Sequence, residues 1–172
     1  MQKSIVHGQF GSTPVRLRMR VIFLDIDGVL NSVRYDRSRT PSDGNIDRTR
    51  LVLLRQLVEQ TGAEIVLSSS WRRHWHRDAW ACNPIGRELH TIFGEFGLHI
   101  MDKTPVLGPT MRAEEIEAWL EKHARQVESF VILDDIPSGW GRLGDHLVRT
   151  NSRIGRGLEQ RHVEAAVRIL NG

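Results

Sequence analysis

Asp25 and Asp27 stand two residues apart, directly after the apolar run Val21-Ile22-Phe23-Leu24 and directly before Gly28. Two carboxylates this close repel each other unless a cation lies between them or one keeps its proton. Gly28 lets the backbone turn sharply and approach a ligand closely. A second acidic pair, Asp134-Asp135, ends another apolar run, Phe130–Leu133. Together the two pairs offer several hard oxygen donors, the set that magnesium prefers, with room left for retained water. A lone Asp-x-Asp means little, because acids often cap helices that follow strands. Two such pairs behind two apolar runs are far more specific.

The elements that must carry these residues are legible from periodicity. Continuous apolar runs at Val21–Leu24, Ile65–Leu67 and Phe130–Leu133 suit strands buried on both faces of a parallel sheet. Leu51, Leu53, Leu54, Leu57 and Val58 recur at helical spacing after Asp47, with Gly62 as the stop. Further helices are expected near Ile85–Phe96, over Ala113–Arg125 and over Gln160–Leu170, and short strands at Leu98–Ile100 and Leu147-Val148. Residues 34–45 and 102–111 read as loops, from their Pro and Gly. Strands alternating with helices predict an α/β fold, with a central, mostly parallel sheet covered on both faces. In such sheets ligands bind at the carboxyl ends of the strands. Asp25/Asp27, Ser68/Ser69 and Asp134/Asp135 all fall there.

The bulk numbers fit one domain. A chain of 172 residues forms a proper core but leaves little room for a second domain. Residues 1–18 show no sustained period and read as an extension, leaving 19–172 as the globular unit. No apolar run approaches the ~20 residues that cross a bilayer, so no membrane partner is expected. The start lacks a long apolar stretch, and Cys82 is the single cysteine, which excludes an intrachain disulfide and points to a reducing cytoplasm. The net charge is only +3 and decides nothing.

From Ser70 the segment SWRRHWHRDAW interleaves Trp with Arg and His. Such a pattern can stack bases and bind phosphates, yet Trp71 and Trp75, four apart, more simply pack on one face. Arg72 and Arg73 remain candidates for a substrate entrance. His74 and His76 have no further ligands in view and read as surface residues. Asn31 is either a helix cap or a substrate contact, with contact favoured.

VIFLDIDGVLN resembles the first motif of the haloacid-dehalogenase-like (HAD) superfamily, IVLSSSW the second, Arg112 at the start of RAEEIEAWL the third, and FVILDD the fourth. They occur in the expected order over about residues 20–150. The wording DIDGVLN, SSSWR and R-x-x-EI-x-x-WL further resembles a capless subgroup that includes the HAD domains of Swiss Army Knife RNA repair proteins. The resemblance implies a three-layer Rossmann-like fold with a minimal cap, and a Mg²⁺-dependent phosphohydrolase. In it Asp25 would attack phosphorus, and Asp27 would protonate the leaving oxygen and later activate water. Asp25, the main-chain carbonyl of Asp27, Asp134 and Asp135 would hold the metal. Ser69, preferred to Ser68 from its spacing to Trp71, would bond a phosphoryl oxygen. Arg112 would offset phosphoryl charge; it is preferred to Lys103 because a helix N-terminus adds partial positive charge. Gly28, Asn31, Ser68, Arg72 and Lys103 complete the expected substrate-binding set.

Neither gap between motifs is long enough for an independent lid, so the site is expected to be open. An open site admits the phosphorylated end of a macromolecule. The expected substrates are therefore polynucleotide ends or nucleotides, with a small-metabolite phosphatase as the alternative and a non-catalytic binding module as a third reading. Oligomeric state is not legible from the chain.

Overall fold

The protein, as a computed structural model, is described over residues 18–31, 46–153 and 156–172. The expected surface loop 34–45, and the expected extension apart from Arg18, lie outside these residues. Nine regular elements follow in chain order: β1 (Met19–Leu24), α1 (Arg48–Thr61), β2 (Glu64–Leu67), α2 (Pro84–Glu95), β3 (Ile100–Lys103), α3 (Arg112–His123), β4 (Val127–Asp134), β5 (Leu147–Arg149) and α4 (Gln160–Asn171). The sheet order is β3-β2-β1-β4-β5, and every neighbouring pair is parallel. The chain therefore leaves central β1 toward one edge and returns on its other side at β4. That reversal opens a crevice at the carboxyl ends of β1 and β4.

Side chains alternate across β1. Ile22 and Leu24 join one cluster with Leu51, Leu54 and Leu57 of α1, Leu89 and Phe93 of α2, and Val163 and Ala166 of α4. Val21 and Phe23 join the other, with Ile116 and Trp119 of α3 plus Trp140 and Leu143. Three layers result, with helices on both faces. Each such side chain contributes about 1.5–3 kcal/mol when fully buried, which fixes the sheet register to within one residue: a slip by one would swap the two faces.

The helix ends follow their sequence signals. Asp47 caps α1, its carboxylate accepting from Thr49 N at 2.8 Å, and Gly62, at φ +64°, closes it in the left-handed region that disfavours other residues. Asn83 caps α2 ahead of Pro84. One strand departs from expectation: β3 begins at Ile100 and takes in Asp102 and Lys103, which the sequence assigned to a loop. It is an edge strand whose residues after Ile100 are half-buried, so no continuous apolar run marks it. Among the described residues no helix is long and apolar enough to cross a membrane.

Candidate active site

The hydrogen-bond ladder does not stop with the strands. Asp25 N donates to Leu133 O (2.9 Å), Ser68 N to Leu24 O (2.9 Å), Thr104 N to Leu67 O (3.1 Å) and Thr150 N to Asp134 O (2.9 Å). The residue after each of β1, β2, β3 and β5 is thus pinned to its neighbour, and the strand tips form one rigid row. Asp25 and Asp134 are both buried there.

Three carboxylates converge. One oxygen from each of Asp25, Asp134 and Asp135 lies within 4.8 Å of the other two, which makes them the one group of three or more prospective ligands among the described residues. Arg112 enters from the first turn of α3. Its Nη1 stands 2.6 Å from Asp134 Oδ2 and 3.1 Å from Asp25 Oδ2. Asp25 Oδ1 accepts from Ile26 N at 2.8 Å, and Asp134 Oδ1 from Ile136 N at 2.9 Å.

Burial, and then the charge of Asp25, push Asp134 up to about 7 although Arg112 opposes them. Desolvation outweighs the ion pair here, as it commonly does for buried charges. Burial also pulls on Arg112, but the facing carboxylates of Asp25 and Asp134 more than offset it, and its affinity for its proton rises. A donor set made only of oxygens, crowded enough to hold a proton near neutrality, fits a hard divalent cation.

Gly28 has φ +78°, and a Cβ there would lie 2.6 Å from Asp135 Cγ and Oδ2. The structure shows a close approach of this glycine to the protein's own Asp135. Any side chain at position 28 would displace one of the three converging acids.

Asp27 stands apart from the trio. Its Oδ2 accepts from Trp71 Nε1 at 3.0 Å and its Oδ1 from Asn31 Nδ2 at 2.8 Å. The converging side-chain carboxylates are thus three, and Asp27 would reach a metal through its main chain, as the resemblance implies. Burial raises the Asp27 carboxyl above the ordinary carboxylate range, despite the two hydrogen bonds that favour its charge. Asn31 turns its side chain toward Asp27, beside the first acidic pair. It is buried, and its amide joins Asp27 to Gly28 N, the latter at 3.0 Å. Trp71 is buried, as packing predicted, but its indole N–H also orients Asp27. The chain position of that tryptophan, right after the Ser-Ser-Ser that follows strand β2, was the available signal.

The remaining candidates divide. Ser69 Oγ accepts from Trp71 N at 3.3 Å and caps the 3₁₀ turn over residues 70–73. Ser68 Oγ is buried with no hydrogen-bond partner among the described residues. Arg72 is not a free substrate ligand: it is buried, pairs with buried Glu115 at 2.5 Å and donates to the carbonyls of Ser68 (2.8 Å) and Ser69 (2.9 Å). It braces the serine turn against α3. Lys103 likewise turns to the carbonyls of Arg72 (3.0 Å) and Trp75 (2.6 Å), whereas Arg112 faces the acids. His74 and His76 bond Asn83 and the backbone of Asp78.

A cleft of about 510 Å³ opens beside Arg112, between Ser70, Arg73, Met111, Gly139 and Trp140. Between β2 and α3 the described chain holds only short 3₁₀ turns, α2, which packs in the core, and β3, which joins the sheet. None of this forms a separate lid.

The family described as the HAD domain in Swiss Army Knife RNA repair proteins matches residues 21–163. No curated protein matches the chain. A solved structure described as a HAD superfamily (subfamily III A) hydrolase from Legionella pneumophila is similar at 13% identity and a TM-score of 0.42, over 91% of this chain and 85% of that one.

Proposed function

Because the chain belongs to the family of HAD domains found in Swiss Army Knife RNA repair proteins, we propose that it is a magnesium-dependent phosphohydrolase working through an aspartyl phosphate. The observation that carries this is the buried Asp25–Arg112–Asp134 array, whose Arg112 also lines the cleft. An Asp25 oxygen bonds to phosphorus while the bond from phosphorus to the leaving oxygen breaks. The proton held on Asp27 goes to that oxygen. Water then attacks phosphorus, gives a proton back to Asp27, and the Asp25–phosphorus bond breaks. Splitting one displacement into two lowers each barrier.

Trp71 and Asn31 support the proton-donor role because they hold both Asp27 oxygens in place. Arg112 supports the phosphoryl group as charge spreads over its oxygens. Mg²⁺ would be held by Asp25, Asp134, Asp135 and the carbonyl of Asp27, and when bound it would neutralise charge on the phosphoryl oxygens. The hydrogen bonding favours Ser68 over Ser69 as the phosphoryl donor, since only Ser68 has an uncommitted, buried hydroxyl. The absence of a lid among the described residues favours phosphorylated polynucleotide ends or nucleotides over small metabolites, which enzymes usually enclose.

Phosphate release from 4-nitrophenyl phosphate is expected with Mg²⁺, lost with EDTA and restored by excess Mg²⁺; no metal-dependent release would overturn the proposal. Phosphorylated oligonucleotides should then outcompete sugar phosphates in kcat/KM. Equal rates would hand the substrate question to the small-metabolite alternative. In the same assay Ser68→Ala should cost about 100-fold in kcat/KM, and Ser69→Ala less, with its loss appearing mainly in the melting temperature. The reverse order would restore Ser69 to the phosphate.

A further inference from the structure

We propose that Trp80, which follows Arg73 and Arg77 in the chain, is a stacking platform for an unpaired nucleobase of a polynucleotide whose terminal phosphate enters the cleft. This rests on the phosphohydrolase reading and adds to it a second binding site on the same substrate.

Of the five tryptophans, Trp71, Trp75, Trp119 and Trp140 are buried, while Trp80 is 91% exposed. A lone exposed apolar residue is ordinary; this one is distinguished by its setting. Its backbone is held firmly. Asp78 Oδ1 accepts from Trp80 N at 2.9 Å, and Cys82 N closes the turn on Ala79 O at 3.2 Å. Buried Cys82 accepts from His76 N at 3.1 Å. Gly86 in α2 packs so closely on the His74 carbonyl that a Cβ there would overlap it. A large ring on a pinned turn loses little freedom when it meets a flat partner.

The surrounding charge selects the partner. Arg73 lines the cleft, is exposed, and has no ion pair among the described residues. Arg77 is 69% exposed and has one long contact, 3.8 Å, to Asp102. The nearby acids are engaged: Asp78 caps the Trp80 turn, and Asp102 accepts from Trp119 Nε1 at 2.9 Å. Trp80 lies seven positions after Arg73, at most about 25 Å of extended chain, so a strand of a few nucleotides bridges cleft and ring. Cationic groups tracking a backbone beside an aromatic face is how unpaired strands are held. A protein partner would call for a broader apolar face. The other large exposed apolar residues, Val52, Val106, Leu107 and Met111, belong to other elements.

The test is the affinity of short fluorescent single-stranded oligonucleotides, 3′- or 5′-phosphorylated, for the full chain carrying Asp25→Asn, which prevents turnover. Adding Trp80→Ala should weaken binding about tenfold, while Trp80→Phe keeps most of it. Arg77→Ala should lower the slope of log affinity against log salt by about one phosphate contact. In the active protein, Trp80→Ala should lower the ratio of oligonucleotide to 4-nitrophenyl phosphate kcat/KM by a similar factor. An unchanged affinity and ratio would overturn the platform and assign Trp80 to a protein contact. Absence of oligonucleotide binding by the parent would overturn it as well. Failure of 4-nitrophenyl phosphate hydrolysis would instead strike the phosphohydrolase reading, so the two failures are distinguishable.

Discussion

Asp25→Asn is expected to lower kcat by at least about a thousandfold, since removing a nucleophile abolishes the covalent route and leaves only what binding and charge supply. Asparagine has the size of aspartate and keeps an oxygen for Ile26 N, the bond that Asp25 Oδ1 now accepts at 2.8 Å. The backbone of residue 25 stays tied to Leu133 O. The charge that helps push Asp134 up disappears, which relieves rather than strains the metal-free site. The variant should therefore melt close to the parent while losing its activity and any hydroxylamine-sensitive phosphate on the chain. Retained turnover would remove Asp25 from the nucleophile's role.

Arg112→Ala should be nearly as damaging, costing about 100- to 1,000-fold in kcat. One guanidinium nitrogen stands within 3.1 Å of both Asp25 and Asp134, so its loss strips the only cation that the described residues place against these two buried acids. Without magnesium the variant should also melt lower, because an unpaired buried carboxylate is costly; added Mg²⁺ should recover part of the difference. Arg112→Lys should restore activity incompletely, since lysine is a point charge without a planar fork. The control is Lys103→Ala. Lys103 is engaged with the carbonyls of Arg72 and Trp75, so its removal should act more on the 70–75 segment than on the chemical step. A larger kcat loss from Lys103→Ala than from Arg112→Ala would exchange the two assignments.

The contrast between these residues marks how far the chain could be read unaided. The apolar runs that end in Asp25 and Asp134 announce central strands, because such strands need apolar side chains on both faces. Parallel pairing and layering then follow from alternation with helices. Edge strand β3 was expected two residues too early and ending at Ile100, since Ile-Met-Asp-Lys carries one buried side chain and its later residues look like a loop. Arg72 escaped for a different reason. Nothing in local pattern says that an arginine will be buried, and its partner Glu115 lies 43 positions away, on α3. Trp71 was read as packing, which it is, but the direction of its indole N–H depends on where β1 ends beside β2. Direction of a hydrogen bond across strand tips is a tertiary property. Even so, one signal was usable: the Trp follows Ser68-Ser69-Ser70 at a strand end, where side chains face the crevice.

That indole has a wider consequence. Trp71 belongs to the turn that Ser69 caps, yet it steers the carboxyl of Asp27 from the neighbouring strand. In the proposed mechanism, proton delivery and phosphate seating would thus hang from the same hinge pin. Remodelling the serine turn to admit a bulkier substrate would swing the acid with it, so a broadened entrance and a well-aimed proton are difficult to obtain together. The two properties are inherited as one.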